Sequence, residues 1–281
     1  MISSSSDKSL GVRALRSAAP YIRLYKGKTF VVKAGGAVFG DAAATRALIE
    51  QIAILHYFGI KVVMVHGGGP QLTQVTEAMG VPTKMVQGRR VTDEQSLDAT
   101  AMVLNGLINT KLLAICRELE IEAVGVSGVD AGLIKAHKRG PVTVEGEVID
   151  YGFVGDIDLV DESVLKKLLD TGLMPVVSPL SADDKGQLLN INADTVAAAI
   201  GAALGAEKLI LCTGAPGILE NVADPGSVVS YTDIKGLDAM RKSGAIKDGM
   251  LPKAKAIEEA IRGGVRRVHV ISYDAPDSIL T

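Results

Sequence analysis

Short apolar segments alternate with longer amphipathic segments along most of the chain. The short segments are rich in Val, Ile and Leu and predict strands at 29–33, 61–66, 123–127, 174–178, 208–213 and 267–272. The longer segments predict helices at 41–58, 70–79, 93–119, 161–171, 193–204, 232–243 and 250–262. Strands joined by helices form βαβ units with right-handed crossovers. The pattern therefore predicts an α/β fold, a three-layer αβα sandwich with a central, mainly parallel sheet.

Local signals refine this pattern at three places. Thr92, followed three residues later by Gln95, is typical of a capping box at the start of a helix. Gly263 directly follows the last predicted helix and indicates its end. Residues 133–155 interrupt the βα alternation, because apolar and polar residues alternate there between four glycines. This segment predicts an insertion rich in β-hairpins.

The polar segment 181–187 predicts a boundary between two halves of the chain. The chain then divides into an N-terminal extension with a helix at 1–27, a lobe at 28–180 and a second lobe at 181–281. Within the extension, one helical stripe carries apolar residues, namely Leu10, Leu15, Ala18, Ala19 and Ile22. Two interpretations stay open: a capping helix packed on its own domain, or an arm that docks on another subunit.

The composition restricts both the core and the partners. Hydrophobic residues make up 47% of the chain, and Trp is absent, so Val, Ile, Leu and Ala must build the core. Such a core is typical of buried parallel strands covered by helices. Thirty Lys and Arg residues against 32 Asp and Glu residues give a formal net charge of −2. This balance argues against a nucleic acid or an anionic membrane bound through bulk charge.

The cysteines and the first residues indicate the compartment. Cys116 and Cys212 lie in apolar segments and are too few for a disulfide framework, which predicts buried, reduced thiols. The first ten residues lack the apolar core of a signal peptide, and no uninterrupted run of about eighteen apolar residues occurs. We therefore expect a cytoplasmic protein without a membrane partner or a nucleic-acid partner.

Two predicted strands end in glycine-rich loops. In open α/β sheets, ligands bind at the carboxyl ends of the strands, where loop N–H groups can point at anions. Lys33 ends the first strand and would supply a fixed positive charge. The glycines are Gly35 and Gly36 in the first loop and Gly67, Gly68 and Gly69 in the second. They predict a split anion site, the alternative being that they only form tight turns.

Two familiar phosphate motifs are excluded at these places. The tripeptide Gly-Lys-Thr at 27–29 would end a P-loop, but that motif requires glycine at the position of Ile22. The tripeptide also precedes its strand. A dinucleotide fingerprint starting at Gly67 would require Gly or Ala at the position of Leu72. Neither motif explains the glycines.

Seven segments taken together are similar to the amino acid kinase superfamily. In chain order they read VVKAGG, VHGGGPQ, GRRVTD, GFVGDI, LLNINADTVAAAIGAALGA, LILCTGAPGIL and IKDGMLPKAKAIEEAI. The resemblance covers residues from about 10 to 275 and implies the amino acid kinase fold. It also implies phosphoryl transfer from ATP to the γ-carboxylate of N-acetyl-L-glutamate, which gives N-acetylglutamyl 5-phosphate in the second step of arginine biosynthesis.

The resemblance implies three catalytic residues. Lys33 matches a lysine on the acceptor side, Lys253 a lysine on the nucleotide side, and Asp194 the carboxylate that holds both ammonium groups. These residue types suit phosphoryl transfer, which depends on positioning and on cationic stabilisation of the moving group. The pattern alone favours a solvated helix residue at Lys253. Asp194 could serve only the start of its helix, with Asn192 as N-cap.

The resemblance also implies the binding residues. An N-acylated amino acid requires a guanidinium for its α-carboxylate and polar donors for its amide. Arg90, rather than its neighbour Arg89, would supply the guanidinium. The acceptor would be bound by Gly68, Gly69, Arg90 and Asn190, and the phosphates and nucleotide by Gly35, Gly36, Gly67, Gly214, Gly217, Ile218, Leu219 and Lys247. Mg²⁺ would be carried by ATP, because the sequence has no cluster with metal-ligand spacing.

Three features depart from the resemblance. Gly214 stands where relatives carry Asp after Thr or Ser, and Ala37 where many carry Asn. The N-terminal segment resembles the helix that joins dimers into a hexamer in arginine-inhibited relatives, so a homodimer or a trimer of dimers is expected. The chain ends at Thr281, short of the tail that forms the arginine site in those relatives, and predicts weak or absent arginine binding. Lobe 28–180 would bind the acyl amino acid and dimerise, and lobe 181–281 would bind the nucleotide.

The sequence leaves two other functions open. A kinase of the same fold could act on α-aminoadipate bound to a carrier protein, but the match at 152–156 favours free acetylated glutamate. A non-catalytic module that senses an amino acid or a nucleotide could keep the glycine loops for shape. Such a module would be expected to lack Lys33, Asp194 or Lys253, and all three are present.

Overall fold

The computed structural model describes residues 5–144, 146–221, 223–247 and 249–280, with side chains from residue 11 onwards. The helices are α1 (Ser5–Tyr25), α2 (Ala42–Tyr57), α3 (Gly69–Ala78), α4 (Glu94–Ala101), α5 (Asn109–Glu118), α6 (Glu162–Asp170), α7 (Ala193–Ala203), α8 (Ile234–Ser243) and α9 (Met250–Arg262). The strands are β1 (Thr29–Ala34), β2 (Lys61–His66), β3 (Lys84–Val86), β4 (Arg89–Val91), β5 (Ala123–Ser127), β6 (Ile134–Lys138), β7 (Val142–Val144), β8 (Glu147–Ile149), β9 (Gly155–Val160), β10 (Met174–Ser178), β11 (Leu180–Ala182), β12 (Leu188–Asn190), β13 (Lys208–Thr213) and β14 (Arg267–Ser272).

The main sheet is parallel and buried on both faces. Its order within the described chain is β14-β13-β1-β2-β10-β5. Side chains alternate between the faces of a strand, so Phe30 and Val32 of β1 join one apolar core while Val31 joins the other. Helices α2 and α5 cover the first core, and α6, α7 and α9 cover the second. The predicted three-layer αβα sandwich is confirmed.

The six predicted strands are confirmed, with β1 extending one residue further than predicted. The predicted capping box at Thr92 is wrong, because Asp93 caps α4 by accepting a hydrogen bond from the Ser96 N–H at 2.8 Å. Thr92 is fully buried and is bound through its backbone instead. Its N–H donates to Tyr151 O at 2.9 Å, and its carbonyl accepts from Phe153 N at 2.7 Å.

The predicted single helix at 93–119 is interrupted. A π-helix, Met102–Ile108, separates α4 from α5. By length and composition, the run Glu94–Glu118 is the one helix in the described part of the chain that could cross a membrane. Of its apolar window, 44% is buried, and Leu112 and Cys116 lie in the core. Cys116 and Cys212 are free and buried, as predicted.

The predicted hairpin-rich insertion is confirmed. In the described residues, a smaller sheet has the order β12-β11-β6-β9, and β7 pairs with β8 as a hairpin. The segment predicted as a lobe boundary forms the turn between β11 and β12, where Asp183 N donates to Gln187 O at 3.0 Å. That turn lies inside one sheet, and the division of the chain into two lobes stays a prediction.

Helix α1 packs on its own domain at its C-terminal end. The Lys208 ammonium lies over the rings of Tyr21, Tyr25 and Phe30, at 5.4, 4.6 and 5.3 Å from their centroids. This cation–π contact ties the last turns of α1 to β1 and β13. Between residues 11 and 20 the helix is mostly exposed, and Leu15 of the predicted stripe is 62% exposed. The side chain of Leu10 lies outside the described residues.

Candidate active site

A carboxylate and two ammonium groups meet in the interior. Lys33 near the end of β1, Asp194 in the first turn of α7 and Lys253 near the start of α9 are 7%, 8% and 7% exposed. Lys33 Nζ lies 2.8 Å from Asp194 Oδ1. Lys253 Nζ lies 3.2 Å from Oδ1 and 3.1 Å from Oδ2 of the same carboxylate. The structure thus brings the three predicted catalytic residues into direct contact.

Local capping explains how α7 presents its carboxylate. Asn192 is the N-cap of α7, and its side-chain oxygen accepts from the N–H groups of Asp194 and Thr195 at 2.9 and 3.2 Å. An acid in the first helical turn is further stabilised by the helix dipole. Asp194 therefore serves its helix and also binds both lysines.

The position of Lys253 depends on packing between helices. Pro252 fits the first turn of α9, where a backbone N–H has no intrahelical partner. Helix α9 packs against α7, which turns Lys253 inwards toward Asp194. The interpretation of Lys253 as a solvated residue is therefore wrong, whereas Lys255 on the same helix is exposed.

Burial and charge act against each other in this cluster. Burial alone would raise the pKa of Asp194, but Lys33 and Lys253 outweigh it and hold that pKa below its ordinary value. Burial lowers the pKa of Lys253, and the neighbouring Lys33 charge lowers it further, against the attraction of Asp194. Two positive charges and one negative charge leave one excess positive charge, which favours binding of an anion.

The two glycine loops touch each other beside this cluster. A Cβ on Gly36 would lie 2.8 Å from the Cα of Gly68 and 2.9 Å from the Gly69 nitrogen, so only glycine fits there. The side-chain amide of Gln71 donates to Gly36 O at 2.7 Å and joins the loops. A Cβ on Gly68 would collide with Leu104 and with another side chain of the π-helix. The glycines therefore allow close packing of the two loops as well as close approach by a ligand.

A cavity of about 330 Å³ opens beside the loops. The predicted site residues that line it are Lys33, Gly35, Gly36, Gly67, Gly68, Gly69, Arg90 and Asn190. Asp194 and Lys253 lie behind Lys33. The other predicted residues, which do not line this cavity, are Gly214, Gly217, Ile218, Leu219 and Lys247. The structure therefore groups the predicted acceptor residues with the glycine loops and separates them from the predicted nucleotide segment.

Arg90 is held in place at the cavity wall. Its guanidinium donates to Thr83 Oγ1 at 2.8 Å, to Thr73 Oγ1 at 2.6 Å and to Gly69 O at 3.3 Å. Burial lowers the pKa of Arg90. These contacts link β4 to the start of α3 and leave further N–H donors of the fork free.

Arg89 also lines the cavity, which the sequence did not predict. Its side chain is half-buried, and among the described residues it makes no hydrogen bond or ion pair. Burial and the neighbouring Arg139 lower its pKa. Arg139 lines the same cavity but is paired with Asp156. The carboxylates of Asp156 and Glu259 partly offset the lowering of the Arg89 pKa through charge attraction. No hydrogen bond among the described residues occupies the Arg89 guanidinium, so its N–H groups can donate to a ligand bound there.

Asn190 also lines the cavity. It is the last residue of β12, and its amide nitrogen donates to Thr92 Oγ1 at 3.2 Å. Its backbone N–H donates to Phe153 O at 2.8 Å. The hairpin insertion therefore holds the Asn190 amide where it can contact a ligand.

The predicted nucleotide segment follows β13. Gly214 is exposed, and a Cβ there would lie 3.0 Å from the hydroxyl oxygen of Tyr273. The end of the Tyr273 side chain therefore packs closely against Gly214. Gly217 packs against Val228 in the same way, and Ile218 O accepts from Val229 N at 2.8 Å. Leu219 bridges to Val228, and Lys247 is exposed.

Metal ligands are not grouped in the described part of the chain. No set of three or more His, Cys, Asp or Glu side chains there could hold a metal ion. The lysine and arginine side chains around the cavity would attract an anion.

The fold and the cavity define a class of protein. An αβα sandwich that gathers two glycine loops and two buried ammonium groups at the carboxyl ends of parallel strands is suited to transfer a phosphoryl group between small molecules. A model of the Amino acid kinase family matches residues 28–272. The chain belongs to this family.

Curated relatives cover nearly the whole chain. The acetylglutamate kinase of Myxococcus xanthus is 49% identical over 273 residues, which is 95% of this chain and 89% of the relative. The acetylglutamate kinase of Archaeoglobus fulgidus is 41% identical over 272 residues, which is 96% of this chain and 94% of the relative.

Solved structures share the fold. N-acetylglutamate synthase from Neisseria gonorrhoeae, complexed with coenzyme A and N-acetyl-glutamate, superposes with a TM-score of 0.82 at 26% identity and covers 96% of this chain. The present chain spans 60% of the length of that synthase. An isopentenyl phosphate kinase superposes with a TM-score of 0.59 at 18% identity, over 88% of this chain and 92% of the kinase, a likeness of fold alone.

Proposed function

We propose that this chain transfers the γ-phosphoryl group of ATP to the γ-carboxylate of N-acetyl-L-glutamate, giving N-acetylglutamyl 5-phosphate and ADP. The observation that carries the proposal is the contact of both Lys33 and Lys253 with Asp194 beside the glycine loops. The curated relatives support the choice of acceptor, since they are acetylglutamate kinases. The same relatives support a place in arginine biosynthesis.

The reaction needs positioning and charge stabilisation. A γ-carboxylate oxygen of the acceptor attacks the γ-phosphorus, and the bond from that phosphorus to the ADP oxygen breaks. Negative charge spreads over the oxygens of the moving group. Lys33 stabilises this charge from the acceptor side and Lys253 from the nucleotide side, while Asp194 keeps the two ammonium groups at a fixed separation. The N–H groups of Gly68 and Gly69 donate to the same oxygens.

The acceptor occupies the cavity with its α-carboxylate at the arginines. Arg90 is already oriented by its threonine contacts, so little freedom is lost when it binds a carboxylate. Arg89 lines the same cavity without a hydrogen bond or direct ion pair among the described residues and adds a second guanidinium. The amide of Asn190 donates to the acetylated amine end of the substrate.

The nucleotide binds along the second lobe, 181–281. Its contacts come from the segment that contains Gly214, Gly217, Ile218 and Leu219, and from Lys247 on the other side. The phosphates then extend toward Lys253 and the first glycine loop, Gly35 and Gly36. Mg²⁺ travels with the ATP phosphates, because the described protein side chains offer no metal-ligand cluster.

The exposed part of α1 supports an oligomer. Val12, Leu15 and Leu24 are 50%, 62% and 61% exposed although they are apolar, while the end of α1 is fixed by the Lys208 contact. A helix that is anchored at one end and exposes three large apolar side chains is suited to pack against a second copy. We propose a homodimer through lobe 28–180 that assembles into a trimer of dimers through α1, in the cytoplasm.

The other two functions have less support. A kinase of carrier-bound α-aminoadipate is not favoured, since the two curated relatives described above are acetylglutamate kinases. A non-catalytic sensor is not favoured either, because the buried cluster of Lys33, Asp194 and Lys253 is intact. Such a cluster is costly to bury without a function for its charges.

Hydroxylamine trapping tests the proposal. The purified protein is incubated with Mg-ATP, N-acetyl-L-glutamate and hydroxylamine, which converts an acyl phosphate into a hydroxamate. We expect hydroxamate in proportion to the ADP formed. Reactions with L-glutamate and with α-aminoadipate on its carrier protein are the matched comparisons. Equal or greater turnover with either of them, or no hydroxamate with the acetylated substrate, would overturn the proposed function.

A further inference from the structure

His66 lies directly before the second glycine loop and is fully buried. It is the last residue of β2. Its Nδ1 lies 3.1 Å from the carbonyl oxygen of the adjacent Gly67, and its Nε2 lies 3.1 Å from Nδ2 of Asn109. Both ring nitrogens are therefore used within the protein, on the core side of the loop.

The contacts of Asn109 determine where the imidazole carries its proton. Asn109 Nδ2 also donates to Val176 O of β10 at 2.9 Å, which fixes the orientation of the amide group. An amide nitrogen is only a donor, so His66 Nε2 must accept its second hydrogen. His66 Nδ1 must then carry the ring proton and donate it to Gly67 O. Burial lowers the pKa of His66 to about 4, against the hydrogen bond to Gly67, so the ring is neutral at neutral pH.

This contact also determines the direction of the next N–H group. The Gly67 carbonyl and the Gly68 N–H belong to one planar trans peptide and point in opposite directions. With the carbonyl held toward His66 in the core, the Gly68 N–H is turned toward the cavity that Gly68 lines. Among the described residues, no acceptor pairs with that N–H.

The π-helix Met102–Ile108 fixes the same region from the core side. Its residues Leu104 and Ile108 lie where a side chain on Gly68 would project. Asn109 follows the π-helix directly and is 5% exposed. The irregular turn of the helix thus brings both an apolar wall and the Asn109 amide to the loop. π-helical segments occur frequently at functional sites.

We infer that His66 is a positioning residue for the proposed reaction: its Nδ1–H holds the Gly67–Gly68 peptide so that the Gly68 N–H donates to an oxygen of the transferring phosphoryl group. The inference rests on the proposed function and adds a residue to it. His66 touches neither substrate and transfers no proton.

Two substitutions separate this role from that of an ordinary core histidine. In His66→Asn the amide nitrogen can take the place of Nδ1 and donate to Gly67 O. In His66→Gln the amide reaches the place of Nε2 and leaves Gly67 O without a donor. Each variant loses one of the two buried hydrogen bonds of His66. A purely structural role therefore predicts a similar decrease in kcat for both variants. His269→Gln, on β14 at the edge of the sheet, is the matched control.

The positioning role predicts a selective effect on kcat. In the hydroxamate assay, we expect His66→Gln to lower kcat by about 100-fold, as expected for loss of one oriented N–H donor. The KM for N-acetyl-L-glutamate should change by less than about threefold. The kcat of His66→Asn should be at least tenfold higher than that of His66→Gln. The kcat of His269→Gln should match that of the unmodified protein. Equal kcat in the two His66 variants, or a change confined to KM, would overturn the inference.

A spectroscopic measurement keeps the inference testable if the variants fold poorly. ¹⁵N NMR of the histidine-labelled, unmodified protein reports which ring nitrogen carries the proton. We expect one buried histidine protonated on Nδ1 and unchanged between pH 6 and 8; an Nε2-protonated or titrating His66 would overturn the inference. Absence of hydroxamate in the unmodified protein would instead overturn the proposed function. The two failures are therefore distinguishable.

Discussion

The ammonium group of Lys253 contacts both carboxylate oxygens of Asp194, at 3.2 and 3.1 Å, although 59 positions separate the two residues in the chain. Two elements meet at this contact: the first turn of α7 and the start of α9. A lysine that is 7% exposed is costly unless its charge is compensated. The contact therefore ties the stability of the second core to the charges of the proposed active site.

Replacing Lys253 should slow the reaction strongly, whereas replacing its exposed helix neighbour Lys255 should not. We expect Lys253→Ala to lower kcat by roughly 100- to 1000-fold, because it removes one of the two cations that stabilise the moving phosphoryl group. Lys255→Ala is the matched control, since that lysine lies on the same helix but is exposed. The measurement is hydroxamate formation at saturating substrates. Similar rates for both variants would contradict the assigned role of Lys253.

Removing the shared carboxylate should cost stability. Asp194→Asn leaves two buried ammonium groups without a counter-ion, and breaking a buried ion pair typically costs about 3–5 kcal/mol. We expect the free energy of unfolding in urea to fall by that amount. The exposed acid Asp170, which pairs with Lys61, provides the control: Asp170→Asn should cost less than about 1 kcal/mol. A similarly small loss for Asp194→Asn would show that the lysines do not depend on it.

The hydrophobic pattern was sufficient to predict the sheet, and the family resemblance was sufficient to predict which residues form the cluster. Neither predicted how the cluster packs within the fold. The strands β1, β2 and β13 were predictable because strands buried on both faces are continuous apolar runs bounded by glycine or charge. The burial of Lys253 was not predictable from helical periodicity. It depends on how α9 packs against α7, which is a tertiary contact that no local pattern encodes.

Two expectations about single residues, the N-cap of α4 and the arginine of the cavity, also depended on tertiary contacts. Thr92 and Asp93 are both capable N-caps, and the backbone contacts of Thr92 with Tyr151 and Phe153 decide between them. Arg89 was set aside in favour of Arg90, yet the short β3–β4 hairpin turns both toward the cavity. Neither outcome is visible in the spacing of residues along the chain.

Arg89 provides a test of how the cavity binds the acceptor. We expect Arg89→Met to raise the KM for N-acetyl-L-glutamate by roughly 10-fold or more, since a hydrogen bond to a charged group contributes about 1.5–3 kcal/mol. The KM for ATP should stay unchanged. Folding should be largely preserved, because this guanidinium makes no hydrogen bond or direct ion pair among the described residues and is attracted by Asp156 and Glu259 at longer range. Arg266→Met, at an exposed arginine, is the control. An unchanged acceptor KM would place the α-carboxylate at Arg90 alone.

Nucleotide binding should change the protonation of Lys253. Burial and the Lys33 charge lower the pKa of Lys253 in the free protein, and bound phosphates would raise it again. We therefore expect net proton uptake when Mg-ATP binds at alkaline pH. Isothermal titration calorimetry in buffers of different ionisation enthalpy measures this uptake. It should be reduced in Lys253→Met, and equal uptake in that variant would assign the protons to another group.

The buried imidazole should make the fold sensitive to acid over a defined range. The pKa of His66 is about 4 in the folded protein and 6.5 when unperturbed, so between these values the unfolded chain binds more protons. The free energy of unfolding must therefore fall as the pH drops from 6.5 to 4, by about 3 kcal/mol for this group. Burial also lowers the pKa of His56 and His269, so the comparison is with His66→Asn. Urea unfolding at pH 7 and pH 4.5 should show a smaller loss in that variant, and equal losses would mean that His66 is not the group that titrates.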